Sequence, residues 1–175
     1  MASQVILDIG CGNNKHAGAI GINDIKLPGV DLVHDLNKGI PFADNTVDYV
    51  YALHFLEHVN DLVFVMKEIC RVLKPGGTLE LEVPYYASHY AFADPTHRHF
   101  FSWQTLDYFT PKSNFHFYSG TRFRIVEKKF GMLGRLVFLA PLFCGIANAF
   151  PTVYERFLNN FIKVDILHAR LQKVA

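Results

Sequence analysis

The stretch Val5-Ile6-Leu7-Asp8-Ile9-Gly10-Cys11-Gly12 decides the fold. Val5 to Ile9 is an apolar run too short for a helix and closed by glycines, which reads as a buried strand. Gly10 and Gly12 stand where that strand gives way to a loop. Glycine there lets the backbone approach a bound nucleotide with no Cβ in between. A dinucleotide-binding fingerprint would place a third glycine three residues after Gly12, where this chain has Lys15. Asp8 adds a carboxylate that would repel a phosphate and hold a cationic amine. The loop therefore suits a nucleoside ligand carrying positive charge better than a pyrophosphate.

Working outward, Ala19 to Ile22 and Val30 to His34 read as the second and third strands. The polar stretch between the first two leaves room for only a brief helix. Val47 to Leu53 is the fourth strand, following the turn signal Pro41 to Asn45. From Leu62 to Leu73 apolar residues recur at helical spacing, and Lys74-Pro75-Gly76-Gly77 ends that helix. Thr78 to Val83 alternates strictly between apolar and polar, a fifth strand. Thr121 to Lys129 and Leu167 to Val174 read as a sixth and a seventh that pair as a hairpin. Strands alternating with helical stretches predict an α/β fold: a doubly wound, mainly parallel seven-stranded sheet with an antiparallel last strand. No repeat or linker interrupts it, so residues 1–175 are expected to form a single domain.

Half of the residues are hydrophobic, and 17 basic against 16 acidic side chains leave a net charge of +1. A nucleic-acid partner would call for clustered Lys and Arg, so none is expected. Cys11, Cys70 and Cys144 lack metal-ligand spacing and cannot build a disulfide framework, which points to a reducing, cytoplasmic setting. The strand pattern starts within four residues of Met1, too soon for a signal sequence ahead of it. Leu136 to Tyr154 carries no charge, is interrupted by Pro141, Asn148 and Pro151, and is bracketed by Arg135 and Glu155. It reads as a buried helix or lid, or as a face for a membrane surface or a partner such as a second copy. A full membrane span fits it least.

The motifs Leu-Asp-Ile-Gly-Cys-Gly (7–12), Val-His-Asp-Leu-Asn (33–37), Pro-Phe-Ala-Asp-Asn-Thr-Val-Asp (41–48), Leu-Glu-His (56–58), Arg-Val-Leu-Lys-Pro-Gly-Gly (71–77) and Asp-Pro-Thr-His (94–97) belong together. In this order they resemble the class I S-adenosylmethionine-dependent methyltransferases, in particular the methyltransferase-11-like branch. The resemblance implies S-adenosylmethionine as cofactor and S-adenosylhomocysteine as product. It implies that Asp8, Gly10, Cys11 and Gly12 hold the methionine end and that an acid at the second strand's tip binds the ribose. Asn23 occupies that tip and Asp24 follows it. Asp35 and Leu36 would meet the adenine edge, and Leu53, with His54 beside it, would lie near the sulfonium. Asp8 could instead cap a helix, and Asp35-Leu36-Asn37 could be an Asx turn.

The acceptor belongs beyond the carboxyl ends of the strands, where open α/β sheets bind ligands. Those ends supply His54, Glu57 and His58, then Tyr85, Tyr86 and His89, then Asp94, His97, Arg98 and His99. Histidine suits a general base near neutral pH, with His97 the first candidate and His54 the second. Residues 85–117 and 131–163 are aromatic and apolar and would serve as lids, with Tyr86 and Phe92 among the acceptor contacts. The acceptor is then a small molecule, a hydroxyl on an apolar or membrane-proximal compound. Asp94, His97 and His99 with His89 could bind a metal, but a His-x-His spacing by itself is a weak signal and methyltransferases of this class mostly need none, so no metal is expected. The non-enzymatic alternative is a cofactor-binding or partner-binding module.

Overall fold

The structure, a computed structural model, describes residues 4–174. Residues 1–3 and 175, assigned above to the domain, lie outside it, as do the side chains of His116, Arg135 and Leu136. Seven strands form one sheet: β1 (Ile6–Ile9), β2 (Ile20–Asn23), β3 (Leu32–Val33), β4 (Val47–Leu53), β5 (Leu73–Pro84), β6 (Phe123–Gly131) and β7 (Ile166–Lys173). Their order is β3-β2-β1-β4-β5-β7-β6. β1 to β5 pair in parallel, and β7 runs antiparallel to both neighbours, as the sequence pattern predicts.

The strand boundaries shift for local reasons. β5 starts at Leu73 because Leu73 pairs with Val47 ahead of a bulge, and pairing resumes at Tyr49 and Thr78. Helix α1 (Leu62–Val72) is capped by Asp61, whose carboxylate accepts from the Phe64 amide at 2.9 Å. It ends one residue before Leu73, whose backbone is already extended. The β6–β7 hairpin is no tight turn. Residues 132–165 lie between its strands and include helix α2 (Ala140–Ala149).

Strand register sorts the side chains into two faces. Leu7, Val50, Leu79 and Leu171 lie side by side across β1, β4, β5 and β7, all fully buried in one core with Val65, Met66, Ile69 and Val72 of α1. On the other face Asp8, Tyr51, Glu80 and Arg170 are neighbours. That face is thinly covered, because the β1–β2 and β2–β3 connections (10–19 and 24–31) contain no helix among the described residues. Polar bonds stand in for apolar packing there. Glu80 accepts from the Tyr49 hydroxyl and pairs with His168 Nε2 at 3.0 Å.

Arg71 ties the Pro41–Asn45 turn to α1. Its guanidinium donates to the carbonyls of Ile40 and Phe42 and to the carboxylates of Asp44 and Glu68. Glu68 in turn accepts from the Ile40 amide at 2.9 Å. Two of the quoted motifs, 41–48 and 71–77, are thus joined as a structural clamp behind the strand tips.

The uncharged segment does not form a buried helix. Among the described residues no single helix is long and apolar enough to cross a membrane. Val137–Ala149 and Pro151–Leu158 reach that length only together, with a 99° bend between them. Ala147 and Tyr154 enter the core, whereas Phe138, Leu142, Phe150, Phe157 and Phe161 are exposed.

Candidate functional site

The two glycines after β1 do different jobs. The Gly10 amide donates to the Ile22 carbonyl at 2.8 Å, pinning the loop to β2. Gly10 has φ +68°, and a Cβ there would come within 2.4 Å of the Phe55 ring, so glycine is required by packing inside the protein. Gly12 is also left-handed, at φ +52°, yet a Cβ on it would meet nothing within 4 Å. That position faces open space at the carboxyl end of β1. Cys11 between them is buried, and burial pushes its thiol up from the usual range.

Asp8 is buried and turned back into the protein. Its Oδ2 accepts from the His16 amide at 2.8 Å and lies 3.0 Å from His16 Nδ1. The His16 ring stacks flat on Tyr51, centroids 3.8 Å apart. The helix-cap alternative for Asp8 does not occur. This carboxylate ties the loop back to β1 at His16. Sequence reasoning missed His16, because its spacing from Asp8 matches no motif and its contact depends on how the 10–19 loop folds back.

At the tip of β2 the Asn23 side-chain amide donates to Asp24 Oδ1 and to the Ile25 carbonyl, each at 3.2 Å. Asn23 thereby fixes the exposed Asp24 carboxylate in place. Asp35 caps the short turn Leu36–Lys38, accepting from the Asn37 amide at 3.0 Å and the Asn37 side chain at 3.1 Å. The Asx turn is real, and these bonds hold the Asp35 carboxyl below the usual carboxylate range. Leu36 points into the core, which leaves only its backbone for an adenine edge. Leu53 is half-buried at the end of β4.

His54 follows with a left-handed backbone, φ +51°, a conformation that costs a non-glycine residue energy and is enriched at functional sites. Its ring lies between two carboxylates: Nε2 is 3.0 Å from Glu82 and Nδ1 is 3.5 Å from Glu57. Glu57 and Glu82 push the imidazole pKa up to about 9. Both nitrogens therefore face acceptors, and neither offers a lone pair to a substrate.

Beside it lies a hollow of about 500 Å³, lined by Glu57, His58, Tyr90, Asp94, His97 and Leu133 among others. Both segments expected as lids reach it, through Tyr90 and Leu133. The motif Asp94-Pro95-Thr96-His97 builds its floor: Asp94 accepts from the Thr96 amide and hydroxyl, at 2.8 and 2.7 Å. The loop is anchored from outside, since the Arg98 and His99 amides both donate to the Glu57 carbonyl. His97 Nδ1 is 3.0 Å from the Ala91 carbonyl, which fixes the ring and leaves Nε2 for the hollow. His89 and His99 do not join it: His99 Nε2 meets the Val59 carbonyl and His89 packs against Tyr90. Tyr86 and Phe92, expected among the acceptor contacts, line a separate hollow with Asn159 and Lys163. A larger cavity, about 940 Å³, sits against β6 and is lined by Trp103, Lys128 and Phe115 among others, with no residue shared with the hollow beside His97.

Solved proteins share this fold. A solved S-adenosylmethionine-dependent methyltransferase from Archaeoglobus fulgidus superposes with TM-score 0.64 at 20% identity, covering 97% of this chain and 86% of that one. This is the class I methyltransferase fold. Residues 24–81 match the methyltransferase-domain family model. Over 65 residues, 37% of this chain, it is 42% identical to a demethylmenaquinone methyltransferase from Geobacillus sp. (strain WCH70). That match spans 28% of the relative's length. The methyltransferase fold also serves the cyclase SpnF (TM-score 0.62, 18% identity, 99% of this chain and 76% of that one). Fold alone therefore does not name a reaction.

Proposed function

We propose that this protein transfers a methyl group from S-adenosylmethionine to a small apolar or amphipathic acceptor bound in the hollow beside His97. The observation that carries this reading is Gly12: a left-handed glycine facing open space at the end of β1, within a loop shaped by Asp8. Asp24, steadied by Asn23, would take the ribose hydroxyls, and Asp35 would accept from the adenine amine. Leu53 and the strained turn at His54 border the reacting centre. The cofactor, when bound, supplies an electrophilic methyl group on sulfur.

The chain's own work is then to position the acceptor and exclude water, because in-line displacement depends on alignment. His97 Nε2 is oriented by the Ala91 carbonyl to accept the proton of an acceptor hydroxyl. His54, held by Glu57 and Glu82, serves as a charged wall rather than a base. A transfer assay with labelled S-adenosylmethionine and a panel of phenolic, quinol and lipid-hydroxyl acceptors tests this. The expected result is turnover that falls by about 10²–10⁴ in His97→Asn with cofactor affinity unchanged. Cofactor binding with no turnover on any acceptor would instead support a binding module.

The exposed apolar segment supports a membrane-proximal acceptor. Phe138, Phe157 and Phe161 are 70%, 66% and 83% exposed, and Arg156 and Lys163 are exposed beside them. The segment's one acid, Glu155, is turned inward, accepting from the Trp103 amide at 2.7 Å. Exposed aromatics with basic neighbours and no outward acid suit an anionic lipid surface.

A further inference from the structure

We infer that Glu57, His58 and His97 form a binding site for a first-row divalent transition metal. One donor atom from each lies within 4.8 Å of the others. Ligand atoms around a bound ion stand roughly 3.0–3.5 Å apart, given bonds of about 2.0–2.2 Å. Small side-chain rotations close that difference.

Three features set this cluster apart from a chance grouping. Glu57 is 1% exposed, and neither of its carboxylate oxygens has a hydrogen-bond partner among the described residues. His54 Nδ1, at 3.5 Å, is the nearest cationic group and lies too far for a good hydrogen bond. A buried carboxylate that accepts no hydrogen bond is costly even beside the charged His54 ring, and a bound cation commonly satisfies one.

Secondly, each imidazole has its Nδ1 engaged, which leaves Nε2 as the atom able to ligate. His97 Nδ1 faces the Ala91 carbonyl at 3.0 Å, and His58 Nδ1 faces the Thr96 hydroxyl at 2.9 Å. The Thr96 hydroxyl donates onward to Asp94 at 2.7 Å, so it accepts from His58. Each ring thus carries its proton on Nδ1 and keeps the Nε2 lone pair for an ion, with a carbonyl or a Thr–Asp relay fixing it from behind. Thirdly, the three ligands line the hollow of about 500 Å³, which leaves further coordination positions accessible to a small molecule.

Two imidazoles and one carboxylate suit Zn²⁺, Fe²⁺, Co²⁺ or Mn²⁺ rather than Mg²⁺ or Ca²⁺. The ion's open position would hold an oxygen or nitrogen of the acceptor. That last step rests on the methyltransferase reading; ion binding does not. His97 cannot be ligand and base at once. With the ion bound, His97 fixes the acceptor through it, and the acceptor's acidity rises by coordination.

The test is titration of the full-length, chelator-stripped protein with Zn²⁺ in a calorimeter, without S-adenosylmethionine, with Mg²⁺ as control. The expected result is one equivalent of Zn²⁺ bound, no response to Mg²⁺, and affinity lower by about 100-fold or more in Glu57→Gln, His58→Gln and His97→Gln. Thr96→Val, at an exposed position, keeps the fold and costs about tenfold through His58. Zn²⁺ raises the thermal midpoint of the wild type and leaves that of Glu57→Gln unmoved. No uptake of Zn²⁺ by the folded wild type, or uptake that ignores these substitutions, overturns the site. Because the titration omits the methyl donor, loss of donor binding and loss of metal binding are read separately.

Discussion

Gly10 and Gly12 look equivalent in the string Asp-Ile-Gly-Cys-Gly, yet they predict different phenotypes. Gly10→Ala forces a Cβ into the Phe55 ring on a left-handed backbone, costing about 1–2 kcal/mol for the conformation and about 1–3 for overpacking. Gly12→Ala carries only the first cost and should fold, while blocking the cofactor. Thermal melts beside cofactor titration separate the two; equal destabilisation would refute the assignment. Asp8→Ala should release the His16 amide to faster hydrogen exchange and loosen the loop, at about 1–3 kcal/mol. The motif was legible in the sequence, and so was its place at a strand end. The division of labour was not, because it depends on which atoms happen to face each glycine.

Elements were legible where periodicity is strong. The span of β4 and the apolar stripe of α1 follow directly from spacing, and the alternation along β5 marks its buried face. What spacing cannot report is where a helix is missing, and the bare connections 10–19 and 24–31 leave Tyr49, Tyr51 and Glu80 to polar contacts. Nor can it report that Arg71 spends its donors on carbonyls across a turn. Arg71→Lys, which cannot reproduce that planar fork, should cost about 1–3 kcal/mol without altering cofactor affinity. A melt with the thermal midpoint unchanged would show the clamp to be dispensable. The acceptor-side residues were named from the sequence as a set, but only the Asp94–Thr96–His58 relay reveals that Glu57, His58 and His97 converge while His89 and His99 turn away.

At the scale of the molecule, one sheet places the Gly10–Gly12 loop and a histidine-rich hollow at the same strand ends, with an exposed apolar segment on the same chain. Flotation with phosphatidylglycerol vesicles should carry the protein upward, and Phe157→Ser with Phe161→Ser should abolish it, while neutral vesicles bind weakly. If the protein stays with neither vesicle and sediments as a dimer through those phenylalanines, the segment is a contact between copies instead.

The central claim is that the loop after β1 binds a methyl donor. Calorimetric titration of the purified protein with S-adenosylmethionine and S-adenosylhomocysteine, with NAD as control, tests it most directly. The account predicts that both sulfur compounds bind at one site, that NAD does not, and that Gly12→Ala abolishes binding in a protein that still melts cooperatively. No binding of either compound at millimolar concentration, or binding indifferent to Gly12, would contradict it.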